Sequence, residues 1–401
     1  MLAMLVSACL KGTLMSCLKI TRFVVWLATA VLVASCGSSS DSPGTGGSGG
    51  ADRGDGAGVE APDELGPYAV GHTMFTAVDA ARDDRQLLVD VWYPVDEADA
   101  ATEPRTEYPL ALVFTLPSEV AVDDLPVSSE EARAFLVFSH GFGGINTQST
   151  QLMEALASHG FIVASPEHTG NTALDASDPN PAEKRVPDVS FIIDTLFERS
   201  NTSGDAFEGR IDESKVGVLG HSFGGSTAMG MVAGWAGADP DPRVKAIGVI
   251  AGGVGSNNFS EDVLSSVTEP TILLVGTLDP NALANHKYAF ANLPNAEALF
   301  KVEVIGANHT HFANVCDIGN VLIGLGIEQD EWPGFGAEAL IQPYNDTCTD
   351  DVFPIAEAHR LQNLYMVAHF KRFLLGQVGY DQFLTSAYAD ANEPDVSFDA
   401  K

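Results

Sequence analysis

A serine between glycines, in the sequence GHSFG at residues 220–224, matches the G-x-S-x-G pattern that presents a nucleophilic hydroxyl. The pattern is weakly specific in a glycine-rich chain, and GGSGG at 46–50 matches it as well. Only Ser222 lies between an apolar run at 215–219, which predicts a strand, and a stretch at 222–235 that predicts a helix. A strand–turn–helix junction holds the hydroxyl clear of a sheet, so Ser222 is the predicted nucleophile.

A serine hydroxyl attacks a carbonyl only when a base takes its proton and an acid orients that base. In folds with this junction the order is serine, acid, histidine, each after the carboxyl end of a strand. Asp279 directly follows a predicted strand at 271–276, and no other acid between Ser222 and the histidines has such a place. His309 and His311 both follow the next strand. Position favours His309 as the catalytic base and keeps His311 as the alternative.

Acyl transfer also needs two amides directed at the developing oxyanion. The predicted strand at 134–139 runs into a glycine-rich turn, HGFGG at 140–144, of the kind that supplies one donor. We expect the backbone amides of Phe142 and Phe223 to form this oxyanion hole. The alternative is an ordinary tight turn.

The elements that must position these groups alternate between strands and helices along the chain. Strands rich in Val, Ile and Leu that alternate with amphipathic helices predict a mostly parallel sheet with both faces covered. Together with the serine junction, this predicts the α/β-hydrolase fold. Insertions are expected at 101–131 and 317–347, which interrupt the alternation. The predicted strands are 86–93, 134–139, 161–165, 215–219, 245–251, 271–276 and 300–305, and the predicted helices are 149–158, 186–198, 222–235, 284–292 and 357–375.

The N-terminus has the pattern of an export signal. Three basic residues precede an apolar run of 12 residues at 23–34, which suits a signal-peptide core and is short for a bilayer span. The run ends before Cys36, and residues 32–36 resemble the lipobox of bacterial lipoproteins, which implies a lipid on Cys36. The protein is therefore expected in the bacterial cell envelope, anchored to a membrane and facing the periplasm or the cell surface. The alternative is an ordinary cleaved signal with a chance cysteine.

Four regions are expected along the chain. A signal peptide at 1–35 precedes a Gly/Ser-rich flexible linker at 36–63, which has too little apolar surface to fold. A catalytic domain at 64–380 follows, with a C-terminal tail at 381–401. Cys316 and Cys348 remain after the signal and the lipidation site are set aside, and an even pair in an exported protein predicts a disulfide.

Composition excludes some classes of function. The chain has 401 residues with 54 acidic and 21 basic side chains, and no basic stripe that could neutralise phosphates. Nucleic acid is therefore not an expected partner, and the acidic excess indicates a well-solvated surface. No Asp, Glu or His cluster has the spacing of a metal site, so neither metal nor cofactor is expected. The sequence does not determine the oligomeric state.

Several motifs over residues 66–376 resemble a known bacterial family. The motifs are GPYAVG at 66–71, VWYP at 91–94, SHGFGG at 139–144, PEHTGN at 166–171, VPDVSFIIDTL at 186–196 and GHSFGG at 220–225. They resemble the platelet-activating-factor-acetylhydrolase-like serine esterases, often called predicted dienelactone hydrolases. True dienelactone hydrolases use a cysteine where this chain has Ser222. The acid and histidine loops are similar to those of bacterial cutinases and polyester hydrolases, and the loop GANH at 306–309 followed by Cys316 supports His309.

The resemblance implies a metal-free serine esterase with the triad Ser222, Asp279 and His309. The expected activity is hydrolysis of carboxylic esters with an apolar or short acyl group, as in a carboxylesterase, a lipase or a platelet-activating-factor acetylhydrolase. A cutinase-like polyester hydrolase is an alternative, and thioesters or amides share the same acyl-enzyme chemistry. A catalytically silent lipoprotein that uses the fold for binding is the alternative from another class. The segment 317–347 could form an apolar lid over the acyl group or a loop merely held at the surface.

Overall fold

The computed structural model describes residues 59–111, 114–128 and 131–401. The expected signal peptide at 1–35 and the lipidation site Cys36 lie outside the described residues. Among the described residues, no helix combines the length and the apolar character needed to cross a bilayer.

The strands of the described residues join in one sheet of eleven, in the spatial order β11-β10-β9-β8-β7-β5-β6-β2-β1-β4-β3. The strands from β6 across β5 to β10 are parallel, whereas β2 pairs antiparallel with β6 and with β1. All seven strands predicted from the sequence are present. The bounds are β1 Ala69–Asp79, β2 Arg85–Val95, β3 Arg105–Ala111, β4 Phe114–Asp123, β5 Arg133–Ser139, β6 Ile162–Pro166, β7 Ile211–His221, β8 Val244–Ile250, β9 Thr271–Gly276, β10 Leu299–Val304 and β11 Val396–Ala400.

Helices cover both faces of the sheet. On one face the helices Thr150–Ser158 and Ile355–Phe373 pack through side chains such as Leu152 and Phe370. On the other face the helices Ala182–Asn201 and Phe223–Ala233 pack through Ile192 and Met229. This is the α/β-hydrolase fold predicted from the sequence. The bounds are α1 Glu97–Ala100, α2 Thr150–Ser158, α3 Ala182–Asn201, α4 Phe223–Ala233, α5 Glu261–Leu264, α6 Pro280–Asn292, α7 Val315–Gly324, α8 Glu338–Thr347, α9 Ile355–Phe373 and α10 Ser386–Asn392.

Within the expected insertion at 101–131, β3 and β4 extend the sheet at one edge. Within this segment β3 and β4 pair antiparallel, and β4 pairs parallel with β1. A buried hydrogen-bonded chain joins the extension to the helical layer. The indole of Trp92 donates to the Tyr108 hydroxyl at 2.8 Å, and this hydroxyl donates to Glu154 on α2 at 2.8 Å. Burial of these polar groups requires such partners, so the extension is fixed to the domain.

Both ends of the expected domain carry additional structure. Residues 381–401, assigned to a tail, include α10 and β11, and β11 pairs antiparallel with β10 at the sheet edge. Phe398 of this strand is buried beside Phe300 and Tyr365. At the other end, Asp63 accepts a hydrogen bond from Arg360 at 2.8 Å, so the last residues assigned to the linker contact the domain.

The segment between the two cysteines folds as a helical unit. It contains α7, a 3-10 helix at Gln329–Phe335 and α8, with Leu322, Ile327 and Trp332 in a small core of their own. Cys316 and Cys348 form the predicted disulfide, 32 residues apart. Closing a loop of this length stabilises the folded segment by about 3–4 kcal/mol in the chain-entropy model.

We therefore expect the disulfide to hold this helical unit on the domain. In the double variant Cys316→Ser/Cys348→Ser, amide hydrogens of α7 and α8 should exchange at least tenfold faster, because their small core would then be closed by packing alone. Amides of β7, β8 and β9 serve as internal controls and should keep their protection. Hydrogen exchange followed by mass spectrometry makes the comparison. Unchanged protection in α7 and α8 would contradict the expectation.

Candidate active site

Ser222 lies where β7 passes into α4, in a backbone conformation that few residues adopt. Its φ of 58° and ψ of −117° place it in the left-handed half of the map, which is strained for a residue with a side chain. The turn is tight enough that a Cβ on Gly224 would lie 1.7 Å from the carbonyl oxygen of Ser139, and one on Gly220 would lie 2.4 Å from Gly224. The two glycines of the pattern are therefore sterically required. The strand–turn–helix prediction for this junction is correct.

Asp279 lies at the carboxyl end of β9 and caps the first turn of α6. Its Oδ1 accepts a hydrogen bond from the Ala282 amide at 3.0 Å, and Pro280 begins the helix. Burial raises the pKa of Asp279, but hydrogen bonds from His309 and Ala282 lower it by more, so the net pKa is below the ordinary value. Asp279 is therefore an ionised carboxylate at neutral pH.

His309 lies between Asp279 and Ser222, in the 3-10 helix His309–Phe312 that follows β10. An ionised carboxylate only accepts hydrogen bonds, so the imidazole donates Nδ1–H to Asp279 Oδ2, at 2.5 Å. The unprotonated Nε2 then accepts from the Ser222 hydroxyl, at 2.9 Å. The structure thus brings together the three side chains expected from strand-end positions. A hydroxyl held this way can pass its proton to the imidazole as it attacks an electrophilic carbon.

His311, the alternative base, is buried and hydrogen-bonds within its own turn. Its Nδ1 accepts from the Asn308 amide at 3.1 Å, and its Nε2 donates to the Phe353 carbonyl at 2.9 Å. Both ring nitrogens are thus engaged with groups other than Ser222 and Asp279. The geometry therefore offers His309 as the base.

The glycine-rich turn after β5 lies beside the serine. A Cβ on Gly141 would lie 3.4 Å from the Ser222 Cβ, and the rings of Phe142 and Phe223 are 5.7 Å apart in an edge-to-face arrangement. Phe223 begins α4, so its amide has no acceptor within its own helix. The turn that carries Phe142 and the first residue of α4, Phe223, therefore both lie beside Ser222.

Two polar residues that the sequence reasoning missed connect the loops of the site. Nε2–H of His221 donates to the His309 carbonyl at 2.8 Å, and its Nδ1 accepts from the Gln148 side chain at 2.9 Å. Gln148 in turn accepts from the Gly141 amide at 2.9 Å. Burial, followed by the nearby His309, lowers the pKa of His221 to about 3, so this relay stays neutral. The only sequence signal was the position of His221 next to Ser222.

An apolar cleft of about 330 Å³ opens onto Ser222 and His309. Its walls come from the glycine-rich turn, from β3 and β4, and from the helical unit closed by the disulfide. Phe142 and Leu174 at its rim are 66% and 65% exposed. In the described residues, no group of three or more His, Cys, Asp or Glu side chains could hold a metal ion. The main apolar side chains of the cleft are Leu110, Phe114, Phe142, Ile145, Leu174, Val315, Ile318, Leu322, Phe335, Leu340 and Pro343.

Several curated and solved proteins are similar to this chain. A cutinase of Thermobifida cellulosilytica is 31% identical over 191 residues, which cover 47% of this chain and 63% of the cutinase. The platelet-activating factor acetylhydrolase of Cavia porcellus is 25% identical and covers 42% of this chain and 51% of that protein. The chain thus spans less than two thirds of the length of these relatives. A ferulic acid esterase from Streptomyces cinnamoneus shares the fold, with a TM-score of 0.58 and 23% identity over 86% of this chain and 99% of that one.

The relatives confirm the resemblance drawn from the sequence motifs. A family model described as PET hydrolase-like matches residues 125–325, which include Ser222, Asp279 and His309. This match spans half of the 401 residues, so the chain belongs to the PET hydrolase-like family.

Proposed function

We propose that the protein is a serine hydrolase that cleaves carboxylic esters through an acyl-enzyme on Ser222. The observation that carries the proposal is the continuous hydrogen-bonded chain from the Ser222 hydroxyl through His309 to Asp279. The relatives, among them cutinases and an acetylhydrolase, support ester hydrolysis as the reaction class. A catalytically silent binding protein would not need both of these hydrogen bonds.

The reaction follows from the positions of the protons. Ser222 Oγ bonds to the ester carbonyl carbon while its proton moves to His309 Nε2, and the carbonyl electron pair becomes an oxyanion. The Phe142 and Phe223 amides donate to that oxyanion. The bond to the alcohol then breaks, and His309 returns its proton to the leaving oxygen. Water attacks the acyl-enzyme in the same way, and the serine leaves with the proton held by His309.

Asp279 supports both halves of the reaction. Its carboxylate holds the imidazole in the tautomer that accepts from serine, and its charge stabilises the imidazolium that forms. The low pKa of Asp279 keeps this charge in place at neutral pH. His221 and Gln148 connect the loop of His309 to the glycine-rich turn at 140–144 through neutral hydrogen bonds.

The cleft supports an apolar acyl group as the preferred substrate. Burial of each methylene contributes about 0.8 kcal/mol, which is about fourfold in kcat/KM for every carbon until the cleft is full. A volume of about 330 Å³ lies at the small end of ligand pockets, so short to medium acyl groups fit best. The helical unit with α7 and α8 would act as the wall of this cleft.

A polyester is the second candidate substrate. The family description and the cutinase relatives favour it, as do the exposed side chains of Phe142 and Leu174 at the rim, which a solid apolar surface could cover. Release of soluble acids from a polyester film by the wild type, and its absence with Ser222→Ala, would support this candidate.

We further propose that the enzyme acts outside the cytoplasm, tethered by a lipid on Cys36. The basic residues and apolar run before Cys36 support export, and the disulfide suits an oxidising compartment. Metabolic labelling with a palmitate analogue tests the anchor: the wild type should be labelled and Cys36→Ser should not.

The triad is tested with p-nitrophenyl butyrate. Ser222→Ala and His309→Ala should each lower kcat/KM by at least about a thousandfold, because attack then lacks its nucleophile or its base. Asp279→Asn should lower kcat/KM by nearly as much, because the asparagine amide favours the wrong tautomer of the His309 imidazole.

His311→Gln is the matched control for the histidine. It keeps a donor and an acceptor for its turn and should stay within about threefold of the wild type. An inactive His311→Gln beside an active His309→Ala would reverse the assignment of the base. Equal turnover by the wild type and Ser222→Ala would favour the binding-protein alternative.

The role of the cleft is tested by filling it. Ile318 of α7 lines the cleft, whereas Ile323 of the same helix is exposed and is not among its lining residues. Ile318→Trp should lower kcat/KM for octanoyl esters at least tenfold. It should change kcat/KM for acetyl esters less than threefold. Ile323→Trp should keep the wild-type profile across p-nitrophenyl esters. A uniform loss at every chain length with Ile318→Trp would speak against a chain-length wall.

A further inference from the structure

Arg185 of α3 is a fully buried cation directly behind the proposed oxyanion hole. Its guanidinium donates to the His140 carbonyl at 2.5 Å and to the Gly141 carbonyl at 3.0 Å. It also donates to the Asn171 side-chain oxygen at 2.5 Å and to the Ser139 hydroxyl at 3.3 Å. The four hydrogen-bond acceptors are neutral, and the counter-charge that acts on the guanidinium is Asp188, one turn further along α3. A buried cation that hydrogen-bonds only to neutral groups is costly, and most of these groups belong to the end of β5 and the turn that follows it.

The Gly141 carbonyl is the important acceptor, because it belongs to the same peptide unit as the Phe142 N–H. It receives three donors: Arg185 at 3.0 Å, the His140 ring at 2.7 Å and the Gly144 amide at 3.2 Å. Donors on the oxygen of a peptide fix its plane and increase the positive charge on its N–H, more so in a site of low dielectric. The Phe142 amide is thereby both oriented and strengthened as a donor.

The same guanidinium contacts the other half of the hole. It lies 4.9 Å from the centre of the Phe223 ring, in a cation–π arrangement. One side chain therefore joins the two residues whose amides would bind the oxyanion. Burial lowers the pKa of Arg185 to about 9, so the side chain remains a cation at neutral pH.

We propose that Arg185 is a positioning residue for the oxyanion hole, which it builds by fixing and polarising the Gly141–Phe142 peptide. This rests on the proposed ester hydrolysis at Ser222. Arg185 touches neither the ester nor Ser222 in this role and acts through the peptide. A lysine could not replace it, because one ammonium cannot span two carbonyls and a ring as the planar guanidinium does.

The test compares Arg185→Lys with Arg199→Lys. Arg199 is a matched control on the same helix, since it also stacks on phenylalanine rings and pairs with an acid, Asp205, away from the site. Rates are divided by the number of sites that a fluorophosphonate titrates, so that loss of folded protein is not counted. For Arg185→Lys we expect kcat to fall about 10- to 100-fold with KM within about threefold, because acylation and deacylation both use the hole. Arg199→Lys should match the wild type.

The affinity for a trifluoromethyl ketone is a second measurement. It should not change if Arg185 has only a structural role. Ser222 Oγ bonds to the carbonyl carbon of the ketone, the proton moves to His309, and the carbonyl oxygen becomes an oxyanion that the hole binds. Its affinity per titrated site should fall with Arg185→Lys by about the same factor as kcat/KM. Asn171→Ala keeps the guanidinium but removes one of its anchors, and should lower kcat about three- to tenfold.

The outcomes separate the two proposals. If the wild type and Ser222→Ala hydrolyse esters equally, the proposed function itself is wrong. If hydrolysis depends on Ser222, but Arg185→Lys equals Arg199→Lys in kcat per site and in ketone affinity, only the role of Arg185 is overturned. If Arg185→Lys does not fold, the test of the positioning role rests on Asn171→Ala. An unchanged kcat and an unchanged ketone affinity in Asn171→Ala would then overturn the role of Arg185.

Discussion

The site depends on a single backbone constraint at the end of β7. Ser222 adopts a positive φ that costs about 1–3 kcal/mol, and the chain accepts this only because its neighbours leave no alternative. The Ser222 amide donates to the Ile250 carbonyl at 2.8 Å, while Gly224 passes against the Ser139 carbonyl at the end of β5. Three adjacent strands thus hold the turn. Because β5, β7 and β8 are buried on both faces, the strain is offset by the main core.

The groups around this turn combine neutral relays with a few fixed charges. His221 and Gln148 connect the histidine loop to the glycine-rich turn without carrying charge, so they are insensitive to pH in the neutral range. Asp279 carries a negative charge at the carboxyl end of β9, and Arg185 carries a positive charge behind the glycine-rich turn at 140–144. An acyl transfer separates charge between an imidazolium and an oxyanion. In the proposed ester hydrolysis, opposite fixed charges on these two sides would favour that separation before any substrate arrives.

The apolar cleft lies next to Ser222, but most of its walls come from other parts of the chain. One wall comes from β3 and β4, which continue the sheet, and another from the helical unit closed by Cys316 and Cys348. Phe114 of β4 and Phe335 of the helical unit meet edge to face, 5.8 Å apart. Both parts lie outside the strands that hold the triad. Their sequences can therefore change the shape of the cleft without disturbing the strained serine.

The sequence by itself determined the central strands and the choice of Ser222, Asp279 and His309, which the structure joins by hydrogen bonds. Buried parallel strands are runs of Val, Ile and Leu, and a triad follows strand ends in a fixed order, so both leave a local signal. The outer strands leave a weaker local signal, because they are not continuous apolar runs. The second half of β1 mixes buried and exposed residues, and β11 is short and half exposed. Gln148 and Arg185 were decided only by the tertiary structure. Arg185 donates to the carbonyls of His140 and Gly141, more than 40 residues earlier in the chain, and Gln148 joins the Gly141 amide to the His221 ring. Backbone groups such as these carry no residue identity that a sequence could reveal.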